Sequence, residues 1–321
     1  SRQVSAEGVA RIVVVSDDPN KYNPKETFAN DVTIYDRDHL DTIQRELRNE
    51  IGVSVLIYDQ TCAAEKRRRR KRGTFPISSD QIFINQAVCE GCGDCGIESN
   101  CVSITPIETE LGRKREINQS ACNKDFSCLN GFCPSFVTVS NTEPKLSIPI
   151  TDMPFEIIPK PKELNCDEPY NIIITGIGGT GVITIAAIMA MAAHIEDKGV
   201  TVLDMAGMAQ KNGEVFSHLR IAKKSEKLHA VRISEGAADL LLGCDLVTAA
   251  SKETLGKLHA NRTKVFVNSH ENMTADFTAD PDLKFQKNEM YDALTRSSST
   301  KNTELIDTTR FAINLLGDEI A

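Results

Sequence analysis

No uninterrupted apolar stretch in this 321-residue chain approaches the roughly eighteen residues that a membrane-spanning helix needs, so no membrane partner is expected. A charged-then-apolar leader is also missing, which argues against a secretion signal and for the cytoplasm. Positive charge is scarce: 37 basic residues stand against 45 acidic ones, a net charge of −8. Nonspecific attraction to a phosphate backbone is thereby excluded over most of the surface, and no nucleic acid is expected as a partner. With 40 % hydrophobic and 26 % charged residues, the chain suits two or three folded domains. The first residue is Ser1 rather than Met, and ARIVVVSDD reads as a strand entered within a domain, so a piece of a longer protein is expected.

Cysteine is plentiful. Seven of the ten fall between residues 89 and 133, three of them at the two-residue gaps of metal ligands rather than at disulfide spacing. Bacterial-type ferredoxins use C-x2-C-x2-C-x3-C-P twice, and the fourth Cys of each run ligates the other run's cluster. Cys89, Cys92 and Cys95 satisfy the first triplet, with Gly91, Gly93 and Gly96 freeing the backbone for a tight wrap. Five residues then separate Cys95 from Cys101, and Val102 stands where proline is expected. The second run reads Cys122, Asp125, Cys128, Cys133, Pro134, with the carboxylate where the missing cysteine would be.

Swapped pairing gives one [4Fe–4S] cluster on Cys89, Cys92, Cys95 and Cys133, and a second on Cys122, Asp125, Cys128 and Cys101. A carboxylate is a harder ligand than thiolate, so the second is expected as an Asp-ligated [4Fe–4S] or as [3Fe–4S]. The competing reading is a decayed second run with a single cluster. A zinc ribbon would leave the third closely spaced Cys and the Cys-Pro terminus superfluous for a four-coordinate ion. Cys62, Cys166 and Cys244 stand alone and are expected to be inert, although Cys62 closes a strand where α/β ligand crevices lie.

Around this segment the pattern alternates. ARIVVVSDD, DRDHLDTIQRELRNEIG and VSVLIYDQT predict strand, helix and strand. KRRRRKR at 66–72 reads as a solvated stripe, a set of carboxylate anchors or a dock for an acidic partner. Short strands QIFIN, SITPIET and REIN accompany the cysteines, and six prolines between 144 and 169 predict an extended linker. Beyond it, YNIIIT predicts a buried strand and VITIAAIMAMAAHI a helix apolar nearly all round and hence buried. VTVLD, EVFSHLRIA, a helix ending LLLG, DLVTAAS, KVFVN and TTRFAINLLG follow, giving a mostly parallel, doubly wound α/β sheet.

Between that first strand and helix, Gly176, Gly178, Gly179 and Gly181 form a turn suited either to a phosphate-bearing cofactor or to close strand–helix packing. Asp204 sits where a ribose-binding acid would, but the sequence after it is unlike a dinucleotide fold. His194 and His218 are expected as ordinary core or edge residues.

Three segments then converge: QTCAAEKRRRRKRG, CEGCGDCGIESNC…CNKDFSCLNGFCPSF, and TGIGGTGV…DMAGMAQKNGEVFSHLRI. Together, in this order, they resemble the fused bacterial indolepyruvate ferredoxin oxidoreductases of the 2-oxoacid:ferredoxin oxidoreductase superfamily. The resemblance implies that 1–75 ends a thiamine-diphosphate-binding domain, 76–140 is a ferredoxin-like iron–sulfur domain, 141–169 a linker and 170–321 a gamma-type domain. It further implies oxidative decarboxylation of an aryl 2-oxoacid with coenzyme A, ferredoxin as electron acceptor, and assembly as a homo-oligomer with the remainder of the same enzyme. Thiamine diphosphate and Mg2+ would be held elsewhere, because the GDG…N pattern is missing here; catalytic residues for the carbon chemistry are not identifiable.

Overall fold

A short helix α1 (Arg2–Ala6) precedes strand β1 (Arg11–Ser16), whose β-branched run is buried along nearly its whole length. The computed structural model describes residues 1–23, 28–29, 31–141, 166–207 and 213–316. Two compact units divide the chain at residues 72 and 73.

In the first unit, β2 (Thr33–Asp36) and β3 (Ser54–Asp59) flank β1, both parallel to it. Helix α2 (Leu40–Leu47) places Ile43 and Leu47 against Val13 and Val15 because those residues recur at helical spacing on one face. Strand β2 has no counterpart in the sequence reading, since four residues are too few to display a period. Helix α3 (Ala63–Lys71) carries the basic run; Glu65 pairs with Arg68 at 3.2 Å and Arg69 at 2.8 Å, while Lys66 lies 3.8 Å from Asp17.

The second unit begins with β4 (Gln81–Ile84), helix α4 (Asp94–Ser99), a hairpin of β5 (Ile104–Thr109) and β6 (Gly112–Ile117), and β7 (Phe136–Val139), which pairs antiparallel with β4. The proline-rich stretch expected as a linker lies mostly outside the described residues. Then come β8 (Tyr170–Ile177), α5 (Val182–Ile195), β9 (Gly199–Ala206), β10 (Glu214–Ala222) and β11 (Leu240–Gly243). The chain continues through α6 (Leu246–Ala249), α7 (Lys252–Lys257), β12 (Lys264–Asn268), α8 (Asp276–Ala279), α9 (Lys287–Ser298), β13 (Thr303–Ile306) and α10 (Thr308–Leu316).

These strands form a six-stranded sheet ordered β13-β12-β11-β8-β10-β9, parallel from β13 to β8 and antiparallel at β10. Alternation along β8 sends Ile172 and Ile174 towards α5, with Val182, Ala186 and Leu219, and Ile173 towards the opposite face, with Leu246 and Leu294. Both faces are therefore covered, as a mixed α/β sheet requires.

Two expectations need correction. LLLG is not the end of a helix but strand β11, pairing parallel with both β8 and β12; an apolar run this short carries no period that separates a buried strand from a helix. Helix α5 is not buried all round: Ile183, Ile188, Met191 and Ile195 are exposed, while Val182, Ala186 and Ala193 are buried. Only one face of the helix meets the sheet.

His218 is a core residue, 1 % exposed. Its Nδ1 accepts the Ile233 N–H at 3.2 Å, so the ring is neutral with its proton on Nε2, which has no partner among the described residues. Burial pushes its pKa down, helped by the positive charges of Arg232 and Lys257 and opposed by Glu253. The unfolded chain takes up this proton first as pH falls, so stability is complete above about pH 6.5 and is lost on acidification below it. Urea unfolding at pH 7.5 and 5.5 is expected to show that loss, and His218→Asn, whose amide oxygen can replace Nδ1 as acceptor, to diminish it.

Candidate metal centre

Pairing of β4 with β7 sets Ile84 opposite Phe136 and lets the Asn85 N–H donate to the Ser135 carbonyl at 2.7 Å. This brings the segments leading to Cys89 and away from Cys133 to one end of the two-stranded ladder. The Cys89 N–H then donates to the Asn85 carbonyl at 2.9 Å, starting the loop that carries the first triplet. Gly91 has φ +77°, and a Cβ there would lie 2.2 Å from the Arg113 carbonyl oxygen, so only glycine lets the loop press against β6. Gly93, at φ +84°, is the N-cap of α4, which carries Cys95.

The thiols of the triplet lie close enough to act on one another. Burial pushes the Cys95 thiol up to about 11, and the charges of Cys92 and Cys89 push the same way, against the Gly96 N–H and the Arg115 guanidinium. Cys89 is buried, and the Gly91 N–H points to its sulfur at 3.4 Å. Cys133 is exposed, and its Sγ lies 3.1 Å from Ser135 Oγ.

The second run forms its own group. Burial pushes the Cys128 thiol up to about 11, with Cys101, Cys122 and Asp125 adding to the effect. Lys124 and Phe126 flank Asp125 in left-handed conformations, at φ +50° and +59°, which folds the short run back on itself. Lys124 N–H reaches Cys122 Sγ at 3.4 Å, and Ser127 fixes Asp125 Oδ1 through its N–H at 3.3 Å and its hydroxyl at 3.1 Å. Ile84, Cys89 and Ile104 form a small core against which Cys95, Cys101 and Cys128 pack, so both thiol groups share one apolar floor.

Among the described residues, no group of three or more His, Cys, Asp or Glu side chains is arranged to hold a single metal ion. The thiols of each run act on one another electrostatically without meeting at one point.

The glycine turn lies at the carboxyl end of β8. The Ile177 N–H donates to Asp245 Oδ2 at 2.8 Å and the Gly178 N–H to the Gly213 carbonyl at 2.7 Å. A Cβ on Gly176 would lie 2.3 Å from Thr180 Oγ1 and 2.9 Å from Cys244 Cβ, so this glycine serves packing. Gly179 and Gly181 have φ of +106° and +84°, with no atom of the described residues within 4 Å of where a Cβ would sit. Asp204 is exposed within β9, opposite Ser217. His194 is exposed on α5.

The sequence reading missed the cations of β6. Arg113 donates to the carbonyls of Pro281 and Leu283 at 3.0 and 2.8 Å, Lys114 to the Cys89 carbonyl at 2.7 Å, and Arg115 to Pro281 at 2.7 Å. A separation of more than 160 residues from Pro281 hides this clamp in one dimension; the only hint is a triple cation in a hairpin strand.

Comparison with known proteins places residues 171–320 under the family model described as pyruvate ferredoxin/flavodoxin oxidoreductase. The indolepyruvate oxidoreductase subunit IorB of Thermococcus kodakarensis is 36 % identical over 80 residues, 25 % of this chain and 38 % of the relative. The corresponding subunit of Archaeoglobus fulgidus is 31 % identical over 109 residues, 34 % of this chain and 51 % of the relative. The matches thus span only about two fifths to one half of these relatives. A pyruvate oxidoreductase subunit of Thermotoga maritima is similar at 15 % identity and a TM-score of 0.33, covering 48 % of this chain and 70 % of that one.

Proposed function

From the premise that residues 171–320 form a domain of the 2-oxoacid:ferredoxin oxidoreductase superfamily, we propose that this chain is the electron-exit and gamma-type part of an aryl 2-oxoacid:ferredoxin oxidoreductase. The reaction is oxidative decarboxylation of an aryl pyruvate with coenzyme A, giving the aryl acetyl-CoA and carbon dioxide, with two electrons passed to ferredoxin. The carrying observation is the pair of cysteine groups, Cys89, Cys92 and Cys95 in one and Cys101, Cys122 and Cys128 with Asp125 in the other, each already in mutual electrostatic contact.

The donor set suits iron–sulfur clusters. Thiols that hold one another protonated when crowded are the groups a cationic iron core would deprotonate, and Cys133 completes the first set in the swapped pairing. When bound, such clusters supply single-electron steps. The chain's own part is to wrap, shield and bias: Gly91 and Lys124 each aim an amide N–H at a ligand sulfur, and the shared apolar floor limits water. Residues 1–75 are assigned as the end of the thiamine-diphosphate domain, with that cofactor and Mg2+ held mainly outside this chain. Glycines 178, 179 and 181 are assigned to the coenzyme A side of the gamma-type domain, while Gly176 packs the strand against the helix. A cytoplasmic location belongs to this reading, and the apolar face of α5 supports contact with other subunits.

Asp125→Cys is expected to leave the spectrum of the first cluster alone and change that of the second, read by low-temperature EPR. The complete enzyme is expected to reduce ferredoxin only with thiamine diphosphate, coenzyme A and an aryl 2-oxoacid together. Reduction by NADPH, with a bound flavin absorbance, would contradict the assignment.

A further inference from the structure

Among the described residues, Arg115 is a buried cation without a counter-charge. It is 3 % exposed, its Nη2 donates to the Pro281 carbonyl at 2.7 Å, and its Nε is buried with no partner. Among the described residues no carboxylate pairs with it, whereas the adjacent Arg113 binds Glu108 at 2.8 Å. An unpaired guanidinium in the interior is costly, so a site that retains one holds a compensating negative charge close by.

The place of that charge follows from the packing. A Cβ built on Gly93 would lie 3.0 Å from Arg115 Nη2, so the guanidinium rests against one of the two residues between Cys92 and Cys95. Resting on the cluster reading above, we propose that Arg115 is the counter-ion and potential-setting residue of the cluster held by the Cys89, Cys92 and Cys95 triplet. Four thiolates around a [4Fe–4S] core leave a net negative charge that grows by one on reduction. A fixed cation against the loop stabilises the reduced form more than the oxidised one and raises the potential. Arg115 thus acts through the cluster's electrostatics rather than as a ligand.

The test is a potentiometric EPR titration of the anaerobically prepared full chain and three variants, with iron and acid-labile sulfide measured on each. Arg115→Met is expected to lower the reduced-to-oxidised ratio of the first cluster at a fixed potential about tenfold, which is about 59 mV for a one-electron couple. Arg115→Lys keeps the charge and is expected to stay near the parental potential. Arg113→Met loses a charge already neutralised by Glu108 and is expected not to move it. If Arg115→Met loses the cluster while Arg115→Lys retains it, the counter-ion role is again supported.

The inference is overturned if Arg115→Met keeps the cluster at the parental potential, or if Arg113→Met shifts it equally. It is likewise overturned if both Arg115 variants lose cluster and fold together, since packing then explains the residue. Parental protein without iron and sulfide would instead remove the cluster reading itself.

Discussion

Replacing Cys95 with alanine is expected to remove about four of about eight iron atoms per chain and to abolish ferredoxin reduction by the complete enzyme. Cys95 reports on the first triplet, since burial pushes its thiol up to about 11 and its two neighbours push the same way. Without its sulfur, Cys89 and Cys92 cannot close a cubane with Cys133, and no other cysteine lies in that loop. The second group, built on Cys101, Cys122, Asp125 and Cys128, is expected to keep its iron. Iron analysis with low-temperature EPR separates the two outcomes. Loss of all the iron would mean that the groups fold as one site, and loss of none would mean that Cys95 is not a ligand.

Gly93→Val is expected to be nearly as damaging, by a different route. The residue caps α4 at φ +84°, where a β-branched side chain is strained by roughly 1–2 kcal/mol. Its new Cβ would also fall 2.4 Å from Pro281 Cβ. Pro281 cannot retreat freely, because its carbonyl accepts from both Arg113 and Arg115. Overpacking adds about 1–3 kcal/mol, for a total loss near 3 kcal/mol together with the first cluster. Urea denaturation measures the first effect and visible absorbance the second; a variant as stable as the parent, with full colour, would contradict the packing.

The grouping of the cysteines was legible because it follows from local spacing. Gaps of two residues hold the triplet together whatever the rest of the chain does, and Asp125 stands out for the same reason. The glycine turn and helix α5 were legible from one strand–turn–helix pattern. What failed had no local signature. Strand β11 is too short to show its period, and the exposed side of α5 cannot be told from its buried side when both are apolar. The clamp from Arg113, Lys114 and Arg115 to the Cys89 loop and the 281–283 segment depends on tertiary contact alone. Arg115 thus reads in sequence as a surface cation, although it is buried.

Under this proposal, thiolates, aided by one carboxylate, hold iron–sulfur clusters. Iron, zinc and acid-labile sulfide measured on protein purified without oxygen test it most directly. Brown protein with iron and sulfide in equal amounts, near eight of each per chain, is the expected result; colourless protein carrying zinc and no sulfide would contradict it.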